Sequence, residues 1–274
     1  MPERGPGTSG AQGAHAIYVY AVCRTEAPLA LGAVTGVTRD EPVRTLSLGS
    51  LTAVVQTVAA AEFTDAAWQE RLSDAIELER YARAHHAVVS AVAGHAPTVP
   101  LPLATLYQGE DRARRALNDE AARFHTALKR IEHHAEWGVK VFAPLLPGGG
   151  DAAPASRPSA PVDRARPAPG GGLAYLERKR NQRAQREQRQ EDSLRIAEAV
   201  DAAVSRIAKA SRRLRPHGQG SAGGPRVQVL NATYLVAEDR SDELQALAAG
   251  LRARTGADIE LSGPWVPYSF VGEV

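Results

Sequence analysis

Between Pro147 and Gly172 the chain is built almost wholly from Gly, Pro, Ala, Ser and Arg, with very little to bury. A stretch of that composition cannot offset its ordering entropy with a core, so residues 147–171 are expected to form a disordered insertion or linker. The patterned sequence on either side must close its cores without it. A chain of 274 residues is long enough for two domains with a core each. The expected organisation is a disordered N-terminus over 1–15, a first domain over 16–135, and a second over 136–274 that carries the insertion.

Apolar periodicity supplies the elements. Ile17-Tyr18-Val19-Tyr20-Ala21-Val22 is a strand. Val43–Leu48 and Leu51–Gln56 flank Gly49-Ser50, the signal of a tight hairpin. A helix should open at Thr64 as N-cap, with Phe63 and Trp68 as a hydrophobic staple. Its apolar face would then run through Trp68, Leu72, Ile76, Ala82, Val89 and Val92 to Gly94. Val99-Pro100-Leu101-Pro102-Leu103 can only be an edge strand or a connection, because proline donates no ladder hydrogen bond. A second helix spans about Glu110 to His134, and Glu136–Phe142 follows as a strand with Trp137, Val139 and Val141 on one face.

Past the low-complexity stretch one long helix is expected from about Leu173 to Leu214. Its first half, Glu177 to Ser193, has only Ala184 as an apolar residue and should stand in solvent. Its second half has a stripe of Ile196, Val200, Ala203, Val204, Ile207 and Leu214. His217 to Pro225 is a flexible break, Val227–Val236 a strand, and Leu244 to Leu251 a helix stopped by Gly256. Ile259-Glu260-Leu261 is the last strand. The order βββαβα followed by βαβαβ predicts two small α+β domains, each ferredoxin-like, with helices on one face of a small sheet.

The chain ends in Gly263-Pro264-Trp265-Val266-Pro267-Tyr268-Ser269-Phe270, a local crowd of aromatics in a protein where they make up 5%. Each proline fixes its own φ and pushes the preceding residue toward extended geometry, so the tail is stiff before it docks anywhere. It is read here as a rigid Pro/aromatic strap on the second domain, packed near Trp137. Trp137, Trp265, Tyr268 and Phe270 are therefore candidate partner-binding residues, with intramolecular packing the competing role.

A second candidate surface is the basic run of Arg178, Arg183 and Arg186, with Lys179, Arg180 and Arg189 beside them. Its alternative functional reading is a nucleic-acid or anionic-partner module. Glu177, Glu187, Glu191 and Asp192 are interspersed, and no aromatic is present for base stacking. A solvated helix laced with i, i+4 ion pairs is the expectation, and no nucleic acid is expected as a partner.

Little else points to chemistry. His133-His134 and His85-His86 are adjacent pairs whose side chains diverge on a helix, unlike the i, i+4 spacing of helical zinc sites. His85 is expected as a partly buried structural histidine. The Gly148 and Gly170 triplets lie in low-complexity sequence without the Lys-Ser/Thr of a phosphate loop, and there is no G-x-S-x-G. No catalytic residue, cofactor site or metal site is expected. Cys23 is the only cysteine, which fits a reducing cytoplasm, and no apolar run approaches a membrane span. The start, Met1 to Ala14, does not read as a signal peptide.

Taken together and in order, six segments resemble the gas vesicle protein GvpF/GvpL family. They are Ile17-Tyr18-Val19-Tyr20, His85-His86-Ala87-Val88-Val89, Val99-Pro100-Leu101-Pro102-Leu103-Ala104-Thr105-Leu106-Tyr107, Glu136-Trp137-Gly138-Val139-Lys140-Val141, Gly172-Leu173-Ala174-Tyr175-Leu176 and Gly263 to Phe270. The resemblance covers roughly residues 16–271, and the E-W-G-V-K and G-P-W-x-P-Y-S-F pair is its most specific part. Two departures stand out. Ala104 follows Leu103 where family members often carry Arg, and Val266 stands where many have a second proline. The resemblance implies two α+β domains, the first a modified ferredoxin-like one. It further implies a non-enzymatic accessory or minor structural protein of gas vesicle assembly. Its partners would be the small hydrophobic shell protein and other gas vesicle accessory proteins. Its place would be the cytoplasm and the gas vesicle, with the gas-facing surface of the shell as one location. An aggregation-prone amphipathic subunit needs its apolar face or strand edge covered before it polymerises, which gives such binding a physical reason.

Overall fold

The computed structural model describes residues 15–32, 34–143, 171–215 and 227–272. The disorder expected over 1–15 and 147–171 lies outside them, apart from His15 and Gly171, as does all of the break expected over 217–225. The fold is mixed helix and sheet. Described residues up to Glu136, together with those from Pro264 on, form one compact unit, and Trp137–Gly263 forms the other.

The first unit is built on β1 (His15–Cys23), β2 (Val43–Leu48) and β3 (Leu51–Ala59), followed by α1 (Asp65–Ser73) and α2 (Ala75–Ala93). Two short strands, β4 (Thr98–Pro100) and β5 (Leu106–Tyr107), precede α3 (Glu110–Asp119) and α4 (Ala121–Ile131). The strand order is β2-β3-β1-β4, with β5 also on β1, and all pairs are antiparallel. The β2–β3 hairpin closes Leu48 on Leu51 around Gly49, whose φ of 73° is the left-handed geometry such a turn needs. The Pro100 to Leu103 segment lies along the sheet edge as expected. Leu101 N–H donates to the Tyr20 carbonyl at 2.9 Å and Val19 N–H to the Thr105 carbonyl at 2.9 Å, while Ala104 takes a φ of 62° between them.

Helices cover both faces of this sheet, not one. The cause is readable in β1, where every residue after His15 is buried. A β-bulge at Tyr20 moves the pairing from Val19↔Val55 to Ala21↔Val54 and inverts the alternation beyond it. Ala16, Tyr18, Tyr20, Ala21 and Cys23 thus share a core with Tyr81, Val88, Val89 and Val92 of α2. Ile17, Val19 and Val22 face the opposite way, against Leu117, Phe124, Leu128 and Ile131 of α3 and α4.

Both helices expected here are broken in two. The Thr64 cap holds, its Oγ1 accepting from Ala67 N at 3.3 Å, and the Phe63 and Trp68 rings stack at 6.0 Å as the staple predicts. The helix then stops at Ser73, and Asp74 begins a new one by accepting from Ile76 N at 2.9 Å and Glu77 N at 3.3 Å. The break shifts the helical phase, so Ile76 and Ala82 are exposed while Tyr81 and His85 are buried. Asp74→Ala removes the acceptor for two otherwise unpaired amides, and urea denaturation should register a loss of about 1 kcal/mol. The second expected helix breaks at Glu120 into α3 and α4 and ends at Ile131. His133 lies at a φ of 59°, and the next strand starts at His134.

The second unit contains β6 (His134–Phe142), which begins in the first, α5 (Gly171–Ser205), β7 (Ala208–Arg213), β8 (Gln228–Ala237), α6 (Ser241–Thr255) and β9 (Asp258–Trp265), whose last two residues belong to the first. The strand order is β7-β8-β6-β9. At about 1.5 Å per residue α5 is roughly 50 Å long. Its described side chains from Leu176 to Asp192 are exposed, whereas Ala197, Val200, Ala203 and Val204 are buried. The long helix does not reach Leu214. It ends at Ser205, and Ala208–Arg213 pairs antiparallel with β8. Gly256 stops α6 in the left-handed conformation, φ 66°, its N–H bonded to the Arg252 carbonyl at 2.9 Å.

Candidate functional site

The tail from Pro264 belongs to the first unit, which corrects its expected place on the second domain. After Pro267, whose ring restricts φ, the residues Tyr268–Phe270 form one 3₁₀ turn, and Tyr268 N–H donates to the Val266 carbonyl at 2.8 Å. Glu136 is what holds the turn down. Its carboxylate is buried, and Ser269 supplies both donors, the backbone N–H at 2.8 Å and Oγ at 2.5 Å. A buried carboxylate without such donors would be costly, so the tail completes the fold as well as decorating it. Phe270 and Val271 are buried beside this anchor, Val271 within the α3–α4 core, and Val266 packs on the α2 core.

The other two aromatics face outward. Trp265 is 49% exposed and Tyr268 38% exposed, large values for rings on an anchored segment. Both lie against His86 of α2, with ring centroids 6.0 Å and 5.9 Å away. His86 Nδ1 is 3.3 Å from the Tyr268 hydroxyl, and Nε2 is 3.3 Å from Ser90 Oγ. Partial burial pushes the Tyr268 phenol up to about 12, so it is neutral at ordinary pH. The result is a small, preorganised aromatic surface with one polar rim. It can bind an apolar or amphipathic partner with little ordering cost.

The remaining candidates fall elsewhere. Trp137 is 4% exposed in β6 of the second unit, with its indole Nε1 buried and unpaired among the described residues, and so presents no surface. Phe270 acts as the anchor, 3% exposed. Arg178, Arg183 and Arg186 are all carried by α5; the Arg178 side chain lies outside what is described. Arg183 forms an exposed i, i+4 pair with Glu187 at 2.8 Å, and Arg195 pairs with Asp192 at 3.2 Å. Such pairs are the solvated-helix arrangement anticipated for this stretch.

Sequence reasoning missed the two residues that make the tail a site. Glu136 reads as the polar start of a strand, and only its burial shows that it needs a partner. His86 reads as half of a histidine pair, yet its neighbour turns the other way. His85 is buried and its Nδ1 lies 2.9 Å from the Tyr18 hydroxyl. His134 Nδ1 is 2.6 Å from the Glu132 carbonyl, a local backbone contact. Among the described residues no three His, Cys, Asp or Glu side chains are grouped to hold a metal ion. None of the described helices is long and apolar enough to cross a membrane.

Comparisons with known proteins give a consistent result. The sequence model of the family described as gas vesicle synthesis protein GvpL/GvpF matches residues 16–272. Gas vesicle protein L of Streptomyces sp. (strain CB03234) is 38% identical over 255 residues, covering 93% of this chain and 92% of that protein. Two crystal structures share the fold at low identity. Gas vesicle protein GvpF from Anabaena sp. PCC7120 aligns with a TM-score of 0.63 at 12% identity, over 95% of this chain and 97% of that one. GvpF from Microcystis aeruginosa aligns with a TM-score of 0.61 at 14% identity, over 94% and 99%.

Proposed function

Because this chain belongs to the gas vesicle synthesis protein GvpL/GvpF family, we propose that it is a non-enzymatic assembly or minor structural protein. In this reading it binds the small hydrophobic shell protein and supports nucleation and growth of the gas vesicle. The contact surface is the outward half of the tail, Trp265 and Tyr268 beside His86. One observation carries the choice of surface: two large rings remain about half and over a third exposed on a segment pinned by Glu136, Phe270 and Val271. Fixed, exposed aromatics are the residue types that dominate binding energy at interfaces. The other partners are further gas vesicle accessory proteins, and the protein works in the cytoplasm and at the vesicle, on the gas-facing side of the shell.

Each unit is also read as ferredoxin-like. The order β2-β3-β1-β4 in the first and β7-β8-β6-β9 in the second support this, since both place the first and third strands centrally. The first unit is the modified one, because β1 and β2 are joined without a helix.

The test is copurification of the tagged protein with the shell protein from the native host, for the wild type and Trp265→Ala. The wild type should retain the shell protein. Trp265→Ala should lose at least about tenfold in binding while its melting temperature stays within about 2 °C, because its ring is only half-buried. A substantially lowered melting temperature with binding intact would make Trp265 a packing residue. A soluble wild type that never brings down the shell protein would sink the functional reading.

A further inference from the structure

The outer half of α5 carries an ordered pattern on one side. Two leucines, Leu176 and Leu194, stand there 52% and 54% exposed, unlike the buried apolar residues further down the helix. They are 18 positions apart (194 − 176), which at about 3.6 residues per turn is five whole turns. They therefore lie on one line along the helix, separated by about 27 Å of rise. Steps of four and three residues along that line take in Arg180, Arg183, Glu187 and Gln190, all exposed. Ala197, Val200 and Val204, which α5 buries, lie about a quarter-turn away from it.

This line is complementary to its own reverse. Its midpoint is level with Gln185, so a second α5 running the opposite way about that level places Leu194 of the second copy on Leu176. It also places Glu187 of the second copy on Arg183, and Gln190 and Glu191 of the second copy beside Arg180. Two-fold symmetry repeats each contact. A parallel pairing in register would instead set Arg180 on Arg180 and Glu187 on Glu187. The charges can serve this purpose. Arg180 has no ion pair or hydrogen bond among the described residues, and Glu191 is held only loosely, 3.7 Å from Arg195. Arg183 and Glu187 are paired with each other at 2.8 Å. Two such pairs brought together antiparallel form a square of alternating charge, in which each group gains a second opposite neighbour and no existing bond breaks.

We propose that α5 pairs with α5 of a second copy of this chain, antiparallel and centred at the level of Gln185, to make a weak homodimer. The leucines close the two ends of the contact, and the alternating charges between them set direction and register. One helix face about 27 Å long lies at the small end of specific interfaces, and exposed ion pairs contribute little each. The dimer therefore forms only at high local concentration, as when many copies gather on one assembly. The surface is separate from the aromatic tail, so the two contacts can be made and tested independently.

Sedimentation of the full chain between about 1 and 500 µM is the test, with a dimer Kd expected on the order of 100 µM. Raising salt from about 50 to 300 mM should weaken it about threefold or more. Leu176→Ala with Leu194→Ala should weaken it at least about tenfold. Arg180→Glu with Arg183→Glu, and Glu187→Arg with Glu191→Arg, should each be monomeric alone and dimerise when mixed. Cysteine variants read the direction without depending on the charge changes. Under mild oxidation Leu176→Cys and Leu194→Cys should cross-link when mixed and not when alone, the native Cys23 being buried. Trp265→Ala should leave the dimer unchanged. The proposal is overturned by a monomer across the whole range, by a dimer indifferent to either the leucine or the charge variants, or by one lost with Trp265→Ala. Leu176→Cys cross-linking alone as readily as in the mixture would also overturn it. A monomer whose α5 gains hydrogen-exchange protection from duplex DNA or a polyglutamate peptide would give the helix to another partner, with the same result.

Discussion

Replacing Gln56 with leucine is expected to lower the folding stability by about 3–5 kcal/mol, a large share of the 5–15 kcal/mol typical of a domain. Gln56 is fully buried in β3, and its amide makes four hydrogen bonds. Oε1 accepts from the Tyr20 hydroxyl at 2.5 Å and from Thr38 N at 3.4 Å. Nε2 donates to the Thr38 carbonyl at 3.0 Å and the Glu41 carbonyl at 2.6 Å. The Tyr20 hydroxyl in turn accepts from Val37 N at 2.8 Å. One side chain thus ties the bulge in β1 to the irregular connection between β1 and β2. Leucine fits the volume but leaves the buried Tyr20 O–H without an acceptor and two carbonyls without their donor, and each such loss costs about 1–3 kcal/mol.

Urea midpoints for the wild type, Gln56→Leu and Gln56→Glu would check this. Gln56→Glu carries a second signature. A carboxylate can still accept from Tyr20 but cannot donate to the carbonyls, so the fold favours the neutral acid and raises its pKa. Relative to the wild type its stability should therefore be greatest at low pH and fall as pH rises past the ordinary glutamate value. A Gln56→Leu protein as stable as the wild type would show that the connection is held by something else. Gly36 makes the same network rigid from the other side. A Cβ there would run into Gln56 Oε1 and the Tyr20 hydroxyl, both already fixed by hydrogen bonds.

The second large effect is a pH dependence carried by His85. Burial pushes its pKa down to about 4, partly offset by the Leu101 backbone and reinforced slightly by His86. The geometry explains why the neutral ring is required. The Tyr18 hydroxyl accepts from Ala104 N at 3.2 Å, which leaves its own proton for His85 Nδ1 at 2.9 Å. The other ring nitrogen, Nε2, is buried near the Leu101 backbone but outside hydrogen-bond geometry. A protonated ring would face the Tyr18 oxygen with a second donor and hold a charge in an apolar core.

The sign follows from proton binding. The unfolded histidine titrates near 6.5 and the folded one near 4, so the unfolded state binds the proton first. The contribution is fully present above about 6.5 and is lost as pH falls toward 4, reaching about 3 kcal/mol. His85→Gln keeps an acceptor for Tyr18 without a titrating ring, and its stability should vary less over that window. Parallel profiles for the two proteins would remove His85 as the cause.

Much of this fold is legible in the residues themselves. The strands β1, β3 and β8 follow from continuous Val, Ile, Leu and Tyr runs. The hairpin turn follows from Gly49-Ser50, the first helix start from Phe63, Thr64 and Trp68, and the end of α6 from Gly256. The broken edge follows from Pro100 and Pro102, since a missing N–H is a property of the residue wherever it sits. What was misread has a common origin in distance along the chain. Ala208-Lys209-Ala210-Ser211 suits a helix at least as well as a strand, and pairing with β8 more than 20 residues on decides against the helix. At Asp74 apolar spacing continues on both sides, and only packing on the sheet shows which residues face inward.

The tail divides along the same line. Its composition alone makes it stiff, aromatic and poor at anything but docking, because Pro264 and Pro267 restrict the backbone before any contact forms. Where it docks could not be read from the residues. That depends on Glu136, a carboxylate that burial leaves in need of two donors, and on Ser269, which supplies them from 133 positions away. Local stereochemistry is written residue by residue and survives inspection of the sequence. The partner of a buried charge is fixed only when the whole chain has closed around it.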